Sequence, residues 1–229
     1  MKVTLSLEET TSSDVSIMVD ALRASSTITM ALDNFKKVIP CFSPEEALEL
    51  KEKYNGVVAG ERMGQTIEGF DVGNSPLQIG NYETSKDVLI LTTSNGTRIL
   101  ENMKSTVLVG CLLNAKAVGE ASSQIAKDHI DVVMAGVRGK FALEDFLASG
   151  EILYWICQNL KDCETNDLAK AAIMASRDYE SLKEAFCNCR TGKHLTSLGY
   201  AKDIEFCFSK NITNNVAVYE GNELKLIKD

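Results

Sequence analysis

Residues 15–35 read VSIMVDALRASSTITMALDNF and contain one complete strand-helix pattern. The apolar run Val15–Asp20 has the length of a strand and does not alternate, which is typical of a strand buried on both faces of a parallel sheet. The following stretch, Ser25–Phe35, has the pattern of a helix that begins with hydroxyl side chains. A strand followed by a helix is the building unit of α/β layer folds.

The same order continues along the first part of the chain. Further strand-length runs rich in Val, Ile and Leu are Lys37–Phe42, Val57–Glu61, Val88–Thr93, Thr106–Cys111 and Ile130–Val137. Helical patterns are Pro44–Tyr54, Thr97–Met103 and Leu113–Asp128. This alternation predicts an α/β fold of layered α/β/α architecture, with a largely parallel or mixed sheet and right-handed crossovers.

The second half of the chain is more helical. Its helical patterns are Leu143–Leu160, Asp167–Asp178 and Ser181–Arg190. Near the end, Val216–Tyr219 and Leu224–Ile227 flank a plausible turn at residues 220–223, which predicts a hairpin. We therefore expect two α/β lobes, residues 1–112 and 113–229. No Pro-, Gly- or Ser-rich linker marks this boundary, which falls between about residues 112 and 130.

Composition limits the classes of partner. The 229 residues include 24 Lys and Arg against 32 Asp and Glu, a net charge of −8. Nucleic acid is therefore an unexpected partner, because phosphate backbones require clustered Lys and Arg. No run approaches the roughly 20 apolar residues that span a bilayer, and the N-terminal segment turns acidic too early for a secretory signal. We expect a cytoplasmic protein with no membrane partner.

The seven cysteines are odd in number and lie mostly in apolar stretches. They are expected to be buried thiols in a reducing compartment. The alternative is a metal site at Cys187 and Cys189, although one intervening residue is fewer than zinc sites usually have.

Polar residues follow the predicted strands where ligands bind in open α/β sheets, beyond the carboxyl ends. The first strand ends at Asp20, and Arg23 and Ser25 follow. A carboxylate, a guanidinium group and a hydroxyl-rich helix start suit a metal and an anion. The alternative is an ordinary helix cap formed by Ser25 or Ser26.

The third strand ends at Glu61 and Arg62 and runs into a glycine-rich loop that contains Asp71, Asn74 and Ser75. Four glycines within residues 60–73 let the backbone approach a ligand closely, and long irregular loops in compact domains are usually functional. Glu61 and Asp71 carry the hard oxygen ligands that Mg²⁺ prefers. The alternative is a solvent loop capped by Asn74 or Ser75.

Two further strand ends have similar chemistry. After the fourth come Thr93, Asn95, Gly96, Thr97 and Arg98. This hydroxyl-rich turn into a helix favours phosphate but lacks the nucleotide-binding pattern GxxxxGK[ST], and the alternative is a capped turn without a ligand. After the sixth come Arg138, Gly139, Glu144 and Asp145, of which the acids could simply complement a helix dipole.

The four strand ends together indicate one site for a multiply anionic ligand and a cation. Their arginines could neutralise several negative charges on the ligand. A cation would keep the neighbouring carboxylates and the ligand from repelling each other.

At these residues the sequence resembles the 2-phosphosulfolactate phosphatase family of coenzyme M biosynthesis. The resemblance spans nearly the whole chain and is carried by residues 19–27, 60–62, 69–76, 93–98, 135–139, 143–145, 195–199 and 203–207. Two departures are serines at positions 25, 26 and 94, where the family usually has Thr, and the absence of a Pro after Val216 in the C-terminal motif. The serines keep the hydroxyl group, and neither departure falls on a proposed metal ligand.

The resemblance implies an Mg²⁺-dependent enzyme that hydrolyses (2R)-2-phospho-3-sulfolactate to 3-sulfolactate and phosphate. The metal would lie among Asp20, Glu61, Asp71, Glu144 and Asp145, bound by two or three of them and by water. Catalytic groups would be Asp20, Asp71 and Arg98. The phosphate would lie on Arg23, Arg98 and the backbone of residues 95–97, with the sulfonate and carboxylate on Arg62 and Arg138. Further substrate contacts would come from Ser25, Asn74, Ser75, Thr93 and Gly139.

Several alternatives stay open at this point. The nucleophile is either a water molecule activated by the metal or Asp20 itself, which would form an aspartyl phosphate. His194 is a candidate for a role near the leaving group, whereas His129 is expected to be structural. Rival functions are a phosphatase for another small phospho-hydroxy acid and a non-catalytic anion-binding protein. A homodimer is the default expectation.

Overall fold

The computed structural model describes residues 1–94, 99–100 and 103–227. Its strands are β1 Lys2–Leu7, β2 Val15–Val19, β3 Lys37–Cys41, β4 Val57–Arg62, β5 Gln65–Thr66, β6 Val88–Thr92, β7 Thr106–Val109, β8 His129–Met134, β9 Glu164–Thr165, β10 Ala217–Glu220 and β11 Glu223–Leu226. They form one sheet in the order β5-β4-β6-β3-β11-β10-β7-β2-β8-β1-β9.

The helices cover both faces of this sheet. They are α1 Ala24–Ala31, α2 Pro44–Tyr54, α3 Pro76–Gly80, α4 Ala115–Ile125, α5 Leu143–Asn159, α6 Asp167–Ala175, α7 Tyr179–Asn188, α8 Arg190–Ser197 and α9 Ala201–Cys207. Local chemistry explains their starts. At α2, for example, the Ser43 side chain accepts a hydrogen bond from Glu46 N and Pro44 occupies the first turn, where its missing N–H costs nothing.

Strand direction divides the sheet into two parallel groups. β4, β6 and β3 run parallel to one another, as do β7, β2, β8, β1 and β9. The hairpin of β10 and β11 lies between the groups and is antiparallel to its neighbours β7 and β3. The two groups therefore run in opposite directions.

The sheet curves so that one face of both groups packs around α1. A single apolar cluster combines Met18 and Val133 of one group, Val57 and Leu89 of the other, and Ile28 of α1. Neighbouring strands twist by about 20–25°, so the six steps from β2 to β4 rotate strand direction well past a right angle. The carboxyl ends of β2 and β4 consequently meet, although their groups are antiparallel.

The opposite faces are covered separately. Beneath β1, β2 and β8 lies a large cluster that includes Leu147 and Ile152 of α5 and Phe186 of α7. A smaller cluster contains Ala47 of α2 and Ile90 of β6. None of the helices in the described residues is long and apolar enough to cross a bilayer.

The structure confirms the α/β fold and the six predicted strands. It adds β1, which pairs with β8 and was not among the predicted strands. The predicted C-terminal hairpin is confirmed, but it lies in the middle of the sheet. The predicted helix Thr97–Met103 falls largely outside the described residues. The boundary between residues 112 and 113 stays a prediction; strand pairing crosses it, because β2 pairs with β8.

The expectation of free thiols is wrong at one pair, since Cys157 and Cys163 form a disulfide. The other five cysteines are free. Cys189 is buried and accepts a hydrogen bond from Gly192 N at 3.2 Å, whereas Cys187 is exposed. Cys189 thus caps α8 and does not form a metal site with Cys187.

Candidate active site

A cavity of about 410 Å³ lies where the ends of β2, β4, β6 and β8 meet the first turns of α8. It brings together eight of the predicted site residues: Asp20, Arg23, Glu61, Asn74, Thr93, Arg138, Glu144 and Asp145. Segments more than 100 residues apart in the chain therefore meet in one place. The curvature of the sheet explains this convergence.

Asp20 lies in the cavity at the end of β2 and is buried. Its backbone N–H donates to Ser25 Oγ at 2.8 Å, and its Oδ1 accepts a long hydrogen bond from Ala24 N at 3.4 Å. Burial, together with the charges of Glu61 and Glu144, raises the pKa of Asp20 to about 7. The Asp20 carboxylate is therefore poised to accept a proton or a cation.

Glu144 and Asp145 open α5 and are both buried. Asp145 Oδ1 accepts from Ala21 N at 2.8 Å, and Oδ2 accepts from Gly136 N at 2.9 Å. This carboxylate clamps the loops that follow β2 and β8. Burial raises the pKa of Asp145 well above its ordinary value, and the charges of Asp20 and Glu144 raise it further.

Glu61 forms a second clamp of the same kind. Its Oε2 accepts from Gly64 N at 2.6 Å and its Oε1 accepts from Ser94 N at 2.8 Å. The side chain thereby ties the turn after β4 to the end of β6. Both of its oxygens already hold backbone groups, which leaves Asp20 and Glu144 as the carboxylates with the most capacity toward the cavity.

Arg23 reaches the cavity but is neutralised inside the protein. Its Nη1 lies 2.8 Å from Asp203 Oδ2, and its Nη2 donates to Gly64 O at 2.9 Å. The guanidinium group also stacks over the Tyr200 ring, 4.2 Å from its centroid. The predicted role of Arg23 in binding phosphate is therefore weakened.

Asn74 lines the cavity and is 4% exposed. Its Oδ1 is buried and has no hydrogen-bond donor among the described residues. Such an acceptor is costly to bury unless a ligand or water completes it. The neighbouring Ser75 instead caps α3 and donates to Asp203 Oδ1 at 2.7 Å.

The turn after β8 supplies the other wall. Val137 and Lys140 exchange backbone hydrogen bonds of 2.9 and 3.1 Å. Within the turn, Arg138 and Gly139 have φ values of 51° and 78°. Arg138 and Lys140 line the cavity, whereas Gly139 lies outside it, near Glu8.

Four other predicted residues do not line the cavity. Asp71 pairs with Lys51 at 2.8 Å and accepts from Val58 N, a position that does not support its predicted role as a metal ligand and catalytic group. Arg62 turns away and donates to Phe42 O and Thr92 Oγ1. Ser25 Oγ accepts a hydrogen bond from Asp20 N, and Ser75 Oγ donates one to Asp203 Oδ1. Asn95, Gly96, Thr97 and Arg98 lie outside the described residues.

Sequence reasoning named His194 of α8 as a candidate but missed Arg190 and Thr191 of the same helix. Arg190, Thr191 and His194 line the cavity opposite the strand ends. The sequence pattern predicted one helix across residues 181–190, whereas the backbone is extended at Cys189 and a new helix begins at Arg190. His194 Nε2 lies 2.9 Å from Met63 O, so this ring nitrogen is held by the loop after β4.

Comparison with known proteins identifies the family. The family model described as 2-phosphosulpholactate phosphatase matches residues 2–222. This chain belongs to the 2-phosphosulfolactate phosphatase family. The sequence-based prediction of this family, and of a phosphoric monoester hydrolase, is confirmed.

Individual relatives extend the match. The chain is 48% identical to the 2-phosphosulfolactate phosphatase of Methanothermobacter thermautotrophicus, over 100% of this chain and 97% of that protein. It is 35% identical to a probable 2-phosphosulfolactate phosphatase of Clostridium acetobutylicum, over 95% and 94% of the two chains. A probable member from Caldanaerobacter subterraneus is 41% identical over 84% and 82%.

The cavity of this family member limits how a metal could be held. No group of three or more His, Cys, Asp or Glu side chains in residues 1–94, 99–100 and 103–227 is arranged as a ready-made metal site. Asp20 and Glu144 could still hold a cation together with water and substrate oxygens, which is how proteins commonly bind Mg²⁺. The raised pKa of Asp20 fits a group that needs such a cation.

Proposed function

We propose that this chain hydrolyses (2R)-2-phospho-3-sulfolactate to 3-sulfolactate and inorganic phosphate, with Mg²⁺ as its cofactor. Family membership over residues 2–222 supports the reaction. The name of the relative that is 48% identical over the full chain supports the substrate.

One observation carries the chemistry: Asp20 and Glu144, from separate segments, are buried side by side in a cavity lined with cations. Burial and mutual repulsion disfavour the charged state of Asp20. Asp20 and Glu144 would hold Mg²⁺. The cation would offset the charge of the phosphate and lower the pKa of water at the site.

Asn74 supports water as the nucleophile. A fully ionised phosphosulfolactate carries phosphate, carboxylate and sulfonate groups, which all accept hydrogen bonds and donate none. Asn74 Oδ1 is also an acceptor without a donor, so it cannot hydrogen-bond this substrate. It would instead orient the attacking water. The water oxygen forms a new bond to phosphorus and releases one proton to solvent, the ester P–O bond breaks, and the departing oxygen takes up one proton from solvent.

The test of function is phosphate release by the purified full-length protein. We expect phosphosulfolactate to be hydrolysed faster than phosphoglycolate or phospholactate, and we expect EDTA to abolish and Mg²⁺ to restore activity. Preference for another phospho-hydroxy acid would change the substrate but keep the reaction. Binding of these anions without any phosphate release would identify a non-catalytic anion-binding protein instead.

The nucleophile is tested separately. Acid quenching during turnover with ³²P-labelled substrate should leave no label on the protein if water attacks directly. Label recovered on Asp20 would establish an aspartyl phosphate and overturn the role given to Asn74. A cytoplasmic location and a homodimer remain predictions.

A further inference from the structure

The positively charged side chains of the cavity differ in whether they already have a partner within the protein. Arg23 is paired with Asp203, and Arg138 is engaged by another group of the chain. Arg190 and Lys140 also line the cavity. Within the described part of the chain, the side chain of neither residue has a hydrogen bond, ion pair or ring contact. Among the cavity residues that the structure describes, these two cations have no partner in the protein and are available to a ligand.

The exposure of Arg190 and Lys140 shows that they lie at the mouth of the cavity. Asp20 and Glu144 are buried at its floor, whereas Arg190 and Lys140 are exposed. A phosphate that reacts at the carboxylate floor would leave the rest of the molecule pointing outward. Further anionic groups on the substrate would then lie at the level of the two cations.

The backbone at both positions is fixed, which limits the region that the two exposed side chains can reach. Arg190 begins α8 directly after Cys189, whose Sγ accepts from Gly192 N. A Cβ on Gly192 would lie 1.9 Å from Phe186 O, so this turn packs tightly against α7. Lys140 ends the turn after β8, and its backbone exchanges two hydrogen bonds with the backbone of Val137.

We propose that Arg190, with Lys140 across the mouth, binds the sulfonate and carboxylate of the substrate and so selects polyanionic phosphate esters over simple ones. This inference rests on the proposed function. Arg190 is the main specificity determinant, because a planar guanidinium group can grip two oxygens of one anionic group and an ammonium group cannot. Arg62 has no such role, since it faces Phe42 and Thr92.

The experiment compares Arg190→Gln, Arg190→Lys and Lys140→Gln with the wild type. The matched control is Lys193→Gln, an exposed residue of the same helix that does not line the cavity. The substrates are phosphosulfolactate and p-nitrophenyl phosphate, which lacks the additional anionic groups.

Arg190→Gln should lower kcat/KM for phosphosulfolactate by about 10- to 100-fold, mainly through KM, as expected for loss of a charged hydrogen-bonding partner. Hydrolysis of p-nitrophenyl phosphate should change less than about 3-fold, because only the floor is used. Arg190→Lys and Lys140→Gln should give intermediate losses, and the Lys193→Gln control should match the wild type. Equal losses on both substrates, or none, would overturn the proposal.

A binding measurement separates this inference from the proposed function. Titration calorimetry with 3-sulfolactate should show binding to the wild type and weaker binding to Arg190→Gln, with inorganic phosphate bound equally by both. If the wild type binds 3-sulfolactate but does not hydrolyse phosphosulfolactate, the proposed function fails while the mouth site stands. If 3-sulfolactate binds both proteins equally or neither, the mouth site is wrong.

Discussion

Arg23 and Asp203 form a buried ion pair across 180 residues of chain, with Nη1 and Oδ2 2.8 Å apart. Ser75 Oγ donates to the other oxygen of Asp203 at 2.7 Å. The C-terminal helix α9 is thereby fixed to the loop after β2, at the edge of the cavity. The pair explains why an arginine next to Asp20 is less available to the substrate than its position in the sequence suggests.

Removing one partner of this pair should be strongly destabilising. Asp203→Ala leaves the Arg23 charge buried and should lower the free energy of unfolding by about 3–5 kcal/mol. Urea unfolding checks this. The control is Asp87→Ala, which breaks the exposed Lys36–Asp87 pair and should cost only about 0–1 kcal/mol. Similar effects in the two variants would contradict a structural role for the buried pair.

The carboxylates of the cavity should make stability depend on pH. The pKa of Asp20 is about 7 in the folded protein, above its ordinary value of 3.8. Between these values the folded state binds more protons than the unfolded state, so its stability should fall as pH rises from about 4 to 7. Thermal unfolding in EDTA checks this. Asp20→Asn should reduce the slope of stability against pH. The slope that remains should come from Asp145, whose pKa is also raised.

Magnesium should counteract this loss of stability. A protonated Asp20 cannot bind a cation, so 5 mM Mg²⁺, roughly physiological in order of magnitude, should raise the melting temperature more at pH 8 than at pH 5. Thermal shift measurements at both pH values check this. Asp20→Asn and Glu144→Gln should lose the Mg²⁺ effect, while Asp71→Asn should retain it, because Asp71 pairs with Lys51 away from the cavity. An equal Mg²⁺ effect at both pH values would exclude Asp20 as a ligand.

Local sequence pattern was sufficient for much of the fold. Strand-length apolar runs predicted β2 and its parallel neighbours, and the helical pattern of Pro44–Tyr54 predicted α2. The β10–β11 hairpin followed from its turn residues. Each of these features depends on residues close together in the chain. The convergence of polar strand ends was also predictable, because it follows from the general geometry of α/β sheets.

Long-range pairing could not be predicted in the same way. Asp71 and Asp20 look alike in sequence, yet Lys51 of α2 pairs with the first, whereas burial and neighbouring carboxylates raise the pKa of the second. The two parallel groups run in opposite directions because a distant hairpin inserts between them. The start of α8 depends on a cysteine thiol as its cap, which is not a usual helix signal, and Arg190 was missed for that reason.

Asn74 should affect turnover without affecting stability. Asn74→Ala removes an acceptor that has no donor in the described residues, so the free energy of unfolding should change by less than about 1 kcal/mol. Loss of an oriented water should lower kcat by about 10- to 100-fold with little change in KM. The neighbouring control Ser75→Ala should show the opposite pattern, because Ser75 caps α3 and holds Asp203. A drop in stability without a drop in kcat at Asn74 would contradict its role.

Glu61 tests whether a carboxylate in this cavity binds metal or holds loops. Glu61→Gln replaces one acceptor with an amide N–H₂, which cannot accept from both Gly64 N and Ser94 N. Amide hydrogen exchange should therefore accelerate at these two positions, while exchange in β2 and β8 stays slow. Activity should fall as the cavity wall loosens, yet the Mg²⁺-induced rise in melting temperature should persist. If Glu61→Gln instead abolishes that rise and leaves exchange at Gly64 and Ser94 unchanged, Glu61 is a metal ligand and not a clamp.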